Sequence, residues 1–209
     1  MAMGVALAVA SAAIVSAQKP APSDLFDRLF EKSLARRESI HSIRAKFMET
    51  SVSTLLEKPL IARGTVVAAP PARVMMTYTE PERRLVAIDG KTLTVAWLDR
   101  HERETIDIAQ TQKRIDHYFT QANVAQLRSM FDIHAEPDNT LPHTDRVDMQ
   151  PKRRQIKEGL ERLRLWIDRD TLLLSQVEMT FRGGDKKTIR LEDVAVNVPV
   201  TEDDFRIKR

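Results

Sequence analysis

The stretch from Gly64 to Leu98, GTVVAAPPARVMMTYTEPERRLVAIDGKTLTVAWL, contains the strongest structural signal in the sequence. Short runs of Val, Met, Thr, Tyr, Ile and Leu alternate in it with polar residues and are separated by turn-forming residues. A period of two is typical of β-strands, whereas a helix repeats its apolar residues every three or four positions. The stretch therefore predicts a meander of antiparallel strands.

The two faces of one strand in this meander differ in polarity. Because successive side chains of a strand point to opposite sides, Val74, Met76 and Tyr78 share one face. Met75 and Thr77 lie on the other face, together with further polar residues. One face is therefore apolar and the other mixed, but alternation alone does not say which of them points inward.

The next strand is predicted to be covered on both sides. The run from Leu85 to Ile88 is apolar at every position, and a strand of this kind must be buried from both directions. Asp89-Gly90 follows it and predicts a tight hairpin turn, because this pair tolerates positive φ angles.

The composition is that of an ordinary folded protein. Of the 209 residues, 42% are apolar and 30% are charged, which argues against disorder. The 33 basic and 30 acidic residues leave a formal net charge of +3. Basic residues are not clustered with stacking aromatics, so no nucleic acid is expected as a partner. The absence of cysteine excludes disulfides, thiolate zinc sites and thiol nucleophiles.

An export signal is predicted at the beginning of the sequence. Residues 1–17 carry no charged side chain, and the apolar run from Val5 to Val15 is followed by the small residues Ser16 and Ala17. The run is shorter than the roughly 20 apolar residues that a membrane-spanning helix needs. We therefore expect residues 1–17 to be a signal peptide. Residues 18–209 would then form a single exported domain, soluble in the periplasm of a Gram-negative cell.

Two helical segments are predicted on either side of the meander. The first carries an apolar stripe formed by Leu25, Phe26, Leu29, Phe30 and Leu34. Ser23 is its expected N-cap, and it should end near Ser39. The second is marked by Val124, Leu127, Met130 and Phe131, and Phe131, Ile133 and Ala135 then lead into a strand. Alternating runs elsewhere predict further strands, and the segment from Asp193 onward is expected at a sheet edge. The fold class is mainly β (α+β), in one domain.

The sequence lacks the motifs of the common enzymes. Its five histidines are scattered and show no His-x-x-x-His spacing for a metal. It contains no Gly-x-Ser-x-Gly elbow, dinucleotide loop or P-loop. The acidic run 202–204 and the basic run 152–164, which is interleaved with Glu158 and Glu161, are best interpreted as solvated surface. We therefore predict no catalytic residue, no metal, no cofactor and no enzymatic activity.

The apolar surface has two possible explanations. If the sheet curls and the helices lie inside the curl, the space between them is an apolar pocket that can open. Alternatively, side chains such as Met75, Met76, Val86 and Ile88 fill a dry core. The residues by themselves leave both possibilities open.

Several motifs resemble those of the LolA family of periplasmic lipoprotein carriers. In chain order they are Phe47, Gly64, Pro71-x-Arg73-Val74-Met75-Met76-x-Tyr78-x-x-Pro81, Leu85-Val86-x-x-Asp89-Gly90-Lys91-x-Leu93, and Asp193-Val194-x-x-Asn197 before Phe205. The segment from Pro71 to Leu93 is the most specific part. The similarity extends over nearly all of the chain after the predicted signal peptide.

The resemblance implies a fold and a function. The fold would be a strongly curved, incomplete antiparallel β-barrel whose open concave side is covered by α-helices. The protein would be a monomer that accepts the acyl chains of a lipoprotein from an inner-membrane ABC-type releasing complex. It would shield them across the periplasm and pass them to an outer-membrane acceptor. An alternative is an envelope sensor or scaffold that binds a lipoprotein or regulatory protein through the same half-barrel.

The resemblance also suggests which residues bind lipid. We predict a cavity wall formed by Phe47, Val74, Met76, Tyr78, Val86 and Ile88. We predict a helical lid that includes Phe30, Leu127 and Phe131. Aliphatic and Met side chains re-pack readily, which suits the weak and adaptable binding that a carrier needs.

Overall fold

The computed structural model describes residues 24–115 and 123–207. The helices are α1 (Leu25–Glu38), α2 (Ala109–Ile115), α3 (Val124–Met130) and α4 (Arg154–Lys157), and a 3₁₀ helix spans Glu202–Phe205. The strands are β1 (Ile43–Val52), β2 (Leu60–Ala69), β3 (Arg73–Glu80), β4 (Arg84–Asp89), β5 (Thr92–Trp97), β6 (Glu102–Asp107), β7 (Phe131–Pro137), β8 (Thr144–Pro151), β9 (Arg162–Asp168), β10 (Leu174–Thr180) and β11 (Lys186–Val196). The predicted signal peptide lies outside the described residues.

The strands form one antiparallel sheet in the order β6-β5-β4-β3-β2-β1-β11-β10-β9-β8-β7. The edge strands β6 and β7 do not pair with each other, so the sheet is not closed. The predicted fold class is confirmed: the protein is an incomplete antiparallel β-barrel accompanied by a few helices.

The pairing of β1 with β11 joins two distant parts of the chain. Ile43 lies opposite Val196, and Val52 lies opposite Lys186. Strand β11 therefore lies in the middle of the sheet, between β1 and β10. The prediction of an edge segment from Asp193 onward is wrong, because β11 continues through Asp193 as far as Val196.

One face of the sheet, here called the inner face, is the side on which α1 and α3 pack. It can be followed across the sheet because directly opposed residues of neighbouring strands point to the same side. One such row runs through Val147, Leu165, Val177, Ile189 and Glu49. The inner face therefore continues from the helix-covered strands β7–β9 to the strands of the predicted meander.

The opposite side, here called the outer face, is covered by the end of the chain. The buried residues Val67, Ala69, Met75 and Ala87 form a cluster with Phe205. The guanidinium of Arg73 lies 4.7 Å from the centre of the Phe205 ring. The expectation that β4 is covered on this side is confirmed, since Leu85 and Ala87 both contact this cluster.

Helix α1 begins and ends with capping interactions. The side chain of Asp24 accepts a hydrogen bond of 3.0 Å from the backbone N–H of Asp27, so Asp24 is the N-cap. The predicted cap, Ser23, lies outside the described residues. Ser39 is the C-cap, as expected. Phe26 and Leu29 form the buried part of the apolar stripe.

The second predicted helix is shorter than its apolar pattern suggests. Helix α3 begins with a capping box between Asn123 and Gln126 and ends at Met130. Phe131 is not helical: it adopts an extended backbone, begins β7 and is completely buried. Its assignment to a helical lid is therefore corrected. A large apolar residue directly after a helix fits the helical and the strand pattern equally well, so periodicity did not separate them.

The hairpin between β4 and β5 is displaced by one residue from its predicted position. Asp89 pairs with Thr92, so the two loop residues are Gly90 and Lys91. Gly90 has a φ of 57°, which suits the first central position of a type II′ turn.

Candidate functional site

All six predicted wall residues lie on the inner face. Phe47 on β1 lies opposite Gly64 on β2, and Gly64 lies opposite Tyr78 on β3. The next row places Met76 opposite Val86. The row after that places Val74 opposite Ile88. The structure therefore resolves the question left open by the alternation: Val74, Met76 and Tyr78 point inward.

Phe47 and Tyr78 form the buried centre of this region. Their rings meet edge to face, with centroids 4.9 Å apart. Gly64 lies between them in the sheet. A Cβ atom at this position would lie 2.0 Å from the carbonyl oxygen of Thr77 and 2.9 Å from the Phe47 ring. Glycine is therefore needed here so that the Phe47 ring can lie across β2.

A half-buried apolar surface extends from this centre across β2–β5. Met76 and Val86 pack against the Phe47 cluster, and Val66 joins them from β2. Val74 and Ile88 are also half-buried and continue the same face. The sequence-based prediction omitted further residues of this face, which are Val66, Leu93, Val95, Ile189 and Leu191. The alternation of Leu93 with Val95 and of Ile189 with Leu191 is the signal that would have identified them.

A buried polar group interrupts the apolar surface. The hydroxyl of Tyr78 donates a hydrogen bond of 2.9 Å to Oε2 of Glu49. Nζ of Lys187 lies 2.9 Å from Oε1 of the same carboxylate, whose side chain is only 8% exposed. The guanidinium of Arg84 lies 4.1 Å from the centre of the Tyr78 ring. Burial, the charge of Glu49 and the hydrogen bond to it raise the pKa of Tyr78 to about 12.

The helices cover a different part of the inner face. Leu127 is buried in a cluster with Phe26, Leu29, Met149 and Leu163, and Phe30 packs against its edge. Two of the three predicted lid residues, Phe30 and Leu127, are thus helical residues that pack on the inner face. They lie over β7–β9. Within the part of the chain that the structure describes, no helix residue belongs to the cluster that contains Phe47 and Tyr78.

An ionic cluster ties the two helices together. Arg128 of α3 bonds to Asp24 and, at 2.8 Å, to Oδ1 of Asp27 in α1. Its guanidinium also lies 5.2 Å from the centre of the Phe26 ring. The hydrogen bonds to Asp27 and Asp24, together with the charges of both carboxylates, raise the pKa of Arg128. Helices α1 and α3 are therefore joined to each other as well as to the sheet.

The other charged clusters have structural partners. Asp204 lies 3.0 Å from Arg44 and accepts hydrogen bonds from Thr201, which holds the 3₁₀ helix near β1. Arg164 of the basic run lies 3.0 Å from both Asp148 and Glu178 on neighbouring strands. A groove of about 510 Å³ near α4 is lined mainly by charged residues and shares none with the predicted wall.

The described part of the chain contains neither a metal-binding cluster nor a membrane-spanning helix. No three His, Asp or Glu side chains of residues 24–115 and 123–207 are grouped so that they could hold an ion. Within the same ranges, every helix is too short or too polar to cross a bilayer.

A protein-family model described as "Outer membrane lipoprotein carrier protein LolA" matches residues 38–208. The match covers the sheet, α2–α4 and the 3₁₀ helix, and it begins at the last residue of α1. No curated protein matches the sequence.

Solved structures of low sequence identity share the fold. An uncharacterized conserved protein from Thermus thermophilus has a TM-score of 0.56 at 14% identity, over 86% of this chain and 94% of that one. The lipoprotein LppX of Mycobacterium tuberculosis has a TM-score of 0.52 at 17% identity, over 83% and 96%. MucB in the MucA/MucB complex of Pseudomonas aeruginosa has a TM-score of 0.52 at 12% identity, over 87% of this chain.

The chain spans 60% of the length of MucB in that complex. At such low identities the likeness shows a shared fold and nothing finer. The family match is independent of these structures and extends over most of the sequence. Together with the open antiparallel sheet and the helices on its inner face, this match shows that the chain belongs to the LolA family.

Proposed function

We propose that this protein binds the acyl chains of lipoproteins, or a related lipid, on its inner face and carries them through the periplasm from the inner to the outer membrane. One observation carries the proposal. The apolar surface of β2–β5, which includes Met76 and Val86, is only half-buried. Among the described residues, no helix residue packs in the cluster that this surface forms with Phe47. Membership of a family of carrier proteins supports the same conclusion.

The energetics of such binding are adequate. Burying one methylene contributes about 0.8 kcal/mol, so a sixteen-carbon chain contributes on the order of 10 kcal/mol before the loss of chain entropy. A carrier must also release its cargo, so part of this free energy has to be offset. Flexible Met and small aliphatic side chains provide a surface that re-packs around different chains without a rigid fit.

The direction of transport belongs to the proposal as well. The protein, acting as a monomer, would receive its cargo from an inner-membrane ABC-type releasing complex and deliver it to an outer-membrane acceptor. The description of the family as outer membrane lipoprotein carriers supports delivery towards the outer membrane. Native mass spectrometry of the exported protein provides the direct test: we expect a population whose added mass is that of lipid or of an acylated peptide.

A substitution on the inner face tests the location of the site. We predict that Val74→Glu weakens binding of a diacylated lipoprotein at least tenfold, because a carboxylate would have to be desolvated against hydrocarbon. Its effect on folding should be smaller, since Val74 is only half-buried. Titration of the purified protein with the lipoprotein, together with thermal unfolding, measures both quantities.

The matched control is Thr77→Glu, on the outer face of the same strand. This variant should bind the lipoprotein like the parent. Equal affinity of the parent and Val74→Glu would remove Val74 from the site. Loss of binding in both variants would show that any charge on β3 disrupts the sheet.

A partner-binding role is the second candidate. The observation in its favour is the shared fold with MucB, whose solved structure is a complex with MucA. In this case the inner face would hold a segment of a lipoprotein or a regulatory protein. Native mass spectrometry distinguishes the candidates, because a stoichiometric protein adduct without lipid favours partner binding and a lipid adduct favours the carrier.

A further inference from the structure

Charged side chains are rare on the inner face of β1–β5 and β11. At the inward-pointing positions of these six described strands, the charged residues are Glu49, Arg84 and Lys187. They lie near one another, around the ring and hydroxyl of Tyr78. Within this group two positive charges face one negative charge, so one positive charge is in excess; the exposed carboxylates of Glu102 and Glu104 share the inner face on the edge strand β6.

The carboxylate of Glu49 is fully engaged. Lys187 lies 2.9 Å from one of its oxygens, and the Tyr78 hydroxyl donates to the other at 2.9 Å. A buried carboxylate is stabilised when it is both paired and hydrogen-bonded. Glu49 and Lys187 therefore neutralise each other, and the excess positive charge belongs to Arg84.

Arg84 has no carboxylate within ion-pair distance among the described residues. Its guanidinium lies over the Tyr78 ring, and its Nε is buried without a hydrogen-bond partner. A buried donor without a partner is unfavourable, because folding has removed it from water without replacing the lost hydrogen bond. An arginine that stacks on an aromatic ring still directs its N–H groups outward in the guanidinium plane, where they can donate to an oxyanion.

Arg84 also lies at one end of the apolar surface. Val86 and Ile88 follow it on the same side of β4, with Met76 and Val74 beside them on β3. The distance along the strand from Arg84 to Ile88 is about 13 Å at 3.3 Å per residue. An extended hydrocarbon chain can therefore lie along these residues while a polar group at its end reaches the guanidinium.

We infer that Arg84 binds the oxyanion of an anionic amphiphile whose hydrocarbon chain lies along β3 and β4. The inference rests on the proposed function and adds a preference for negatively charged headgroups. The anion can be the carboxylate of a fatty acid or the phosphate of a lipid headgroup, since both accept two N–H bonds from a guanidinium. Tyr78, whose ring lies under the guanidinium, donates its hydroxyl to Glu49, and the ammonium of Lys187 lies 2.9 Å from that carboxylate.

The test compares three ligands with the same sixteen-carbon chain. Hexadecanoate, hexadecyl phosphate and methyl hexadecanoate each displace the neutral fluorescent probe N-phenyl-1-naphthylamine from the full exported protein at pH 8. We expect the parent to bind at least one of the anions about tenfold more tightly than the ester. Whichever anion is preferred identifies the headgroup. Arg84→Gln should abolish the preference while methyl hexadecanoate binds as before, and Arg84→Lys should retain part of it.

The matched control is Arg63→Gln, an exposed arginine on the outer face that pairs with Glu80. This variant should keep the preference of the parent. Equal affinity of the parent for the ester and for both anions would overturn the assignment of Arg84 and leave the proposed function intact. Weaker binding of all three ligands to Arg84→Gln would also overturn it, because Arg84 would then act through its packing on Tyr78. Failure of all three ligands to bind the parent would contradict the proposed function itself.

Discussion

Tyr78 connects the apolar and the charged parts of the inner face. Its ring packs edge to face on Phe47, while its hydroxyl donates to the buried carboxylate of Glu49. The close approach of these groups depends on Gly64, because any side chain there would collide with the backbone of β3. A single aromatic residue therefore contributes both to the packing of the inner face and to the hydrogen bonding of its buried carboxylate.

The environment of Tyr78 predicts a pH dependence. Because burial and Glu49 raise its pKa from 10.0 to about 12, folding favours the protonated phenol. The resulting stabilisation is fully present below pH 10 and is lost as the pH rises from 10 to 12. We expect the difference in absorbance at 295 nm between the parent and Tyr78→Phe to titrate with a midpoint near 12. A midpoint near 10 in the folded protein would contradict the buried contact with Glu49.

At the scale of elements, the two faces of the sheet are covered by different parts of the chain. Helices α1 and α3 pack on the inner face over β7–β9, where Arg128 bonds to Asp24 and Asp27. The 3₁₀ helix packs on the outer face over β2–β4. The proposed site on the inner face thus lies on strands whose outer face is covered by the 3₁₀ helix.

This arrangement predicts that stability and binding can be separated. Phe205 is 9% exposed and packs with Met75 and Ala87 on the outer face. Phe205→Ala should lower the free energy of unfolding by about 3 kcal/mol through lost burial and the cavity left behind. Denaturant unfolding measures this change. Affinity for methyl hexadecanoate should remain unchanged, because the ligand would lie on the opposite face.

The matched control is Leu55→Ala, since Leu55 lies in the β1–β2 loop and is 91% exposed. Its effect on the free energy of unfolding should be below about 0.5 kcal/mol. Loss of ligand binding in Phe205→Ala at temperatures where that variant remains folded would show that the two faces are coupled through the sheet.

At the scale of the whole molecule, the inner face has two unequal halves. Apolar helix residues are clustered over β7–β9, whereas β2–β5 keep a half-buried apolar surface, and Ile106 on the edge strand β6 is 41% exposed. Burial of this surface by a ligand would contribute to folding stability, because the ligand would bind the folded sheet and not the unfolded chain.

We therefore predict that ligands stabilise the protein according to their chain length. At a free concentration one hundred times Kd, any ligand should raise the free energy of unfolding by about 2.7 kcal/mol. Compared at one equal concentration, hexadecanoate should raise the melting temperature more than octanoate, which buries fewer methylenes. Thermal unfolding of the parent and of Val74→Glu measures the effect, and the variant should respond weakly. Equal shifts for both chain lengths would place binding outside the apolar surface.

Much of the architecture follows from local sequence patterns. Alternation along β3 correctly assigned two sets of side chains to opposite faces: Val74, Met76 and Tyr78 to one, and Met75 and Thr77 to the other. It could do so because the period of a strand is a property of its backbone. The run from Leu85 to Ile88 predicted cover on both sides: the outer side is covered by the cluster with Phe205, whereas Val86 and Ile88 on the inner side are only half-buried. The motif from Pro71 to Leu93 indicated the family, which the match over residues 38–208 confirms.

Boundaries between elements were less predictable. Phe131 fitted the pattern of α3 and that of β7, and only its extended backbone assigns it to the strand. The β4–β5 turn moved by one residue because Asp89 pairs with Thr92 in the ladder. In both places neighbouring conformations differ little in local energy, so tertiary pairing decides between them.

The sequence by itself determined the strands, the two faces of each strand and the family to which the chain belongs. The tertiary structure alone decided which face is inner, because that depends on where α1 and α3 pack. It also placed β11 beside β1 and thereby brought Lys187 to Glu49 and Tyr78. These residues are far apart in the chain, and no local periodicity encodes a contact between them. The alternation within β4 already places Arg84 on the same face as Val86 and Ile88, whereas its stacking on Tyr78 depends on the pairing of β4 with β3.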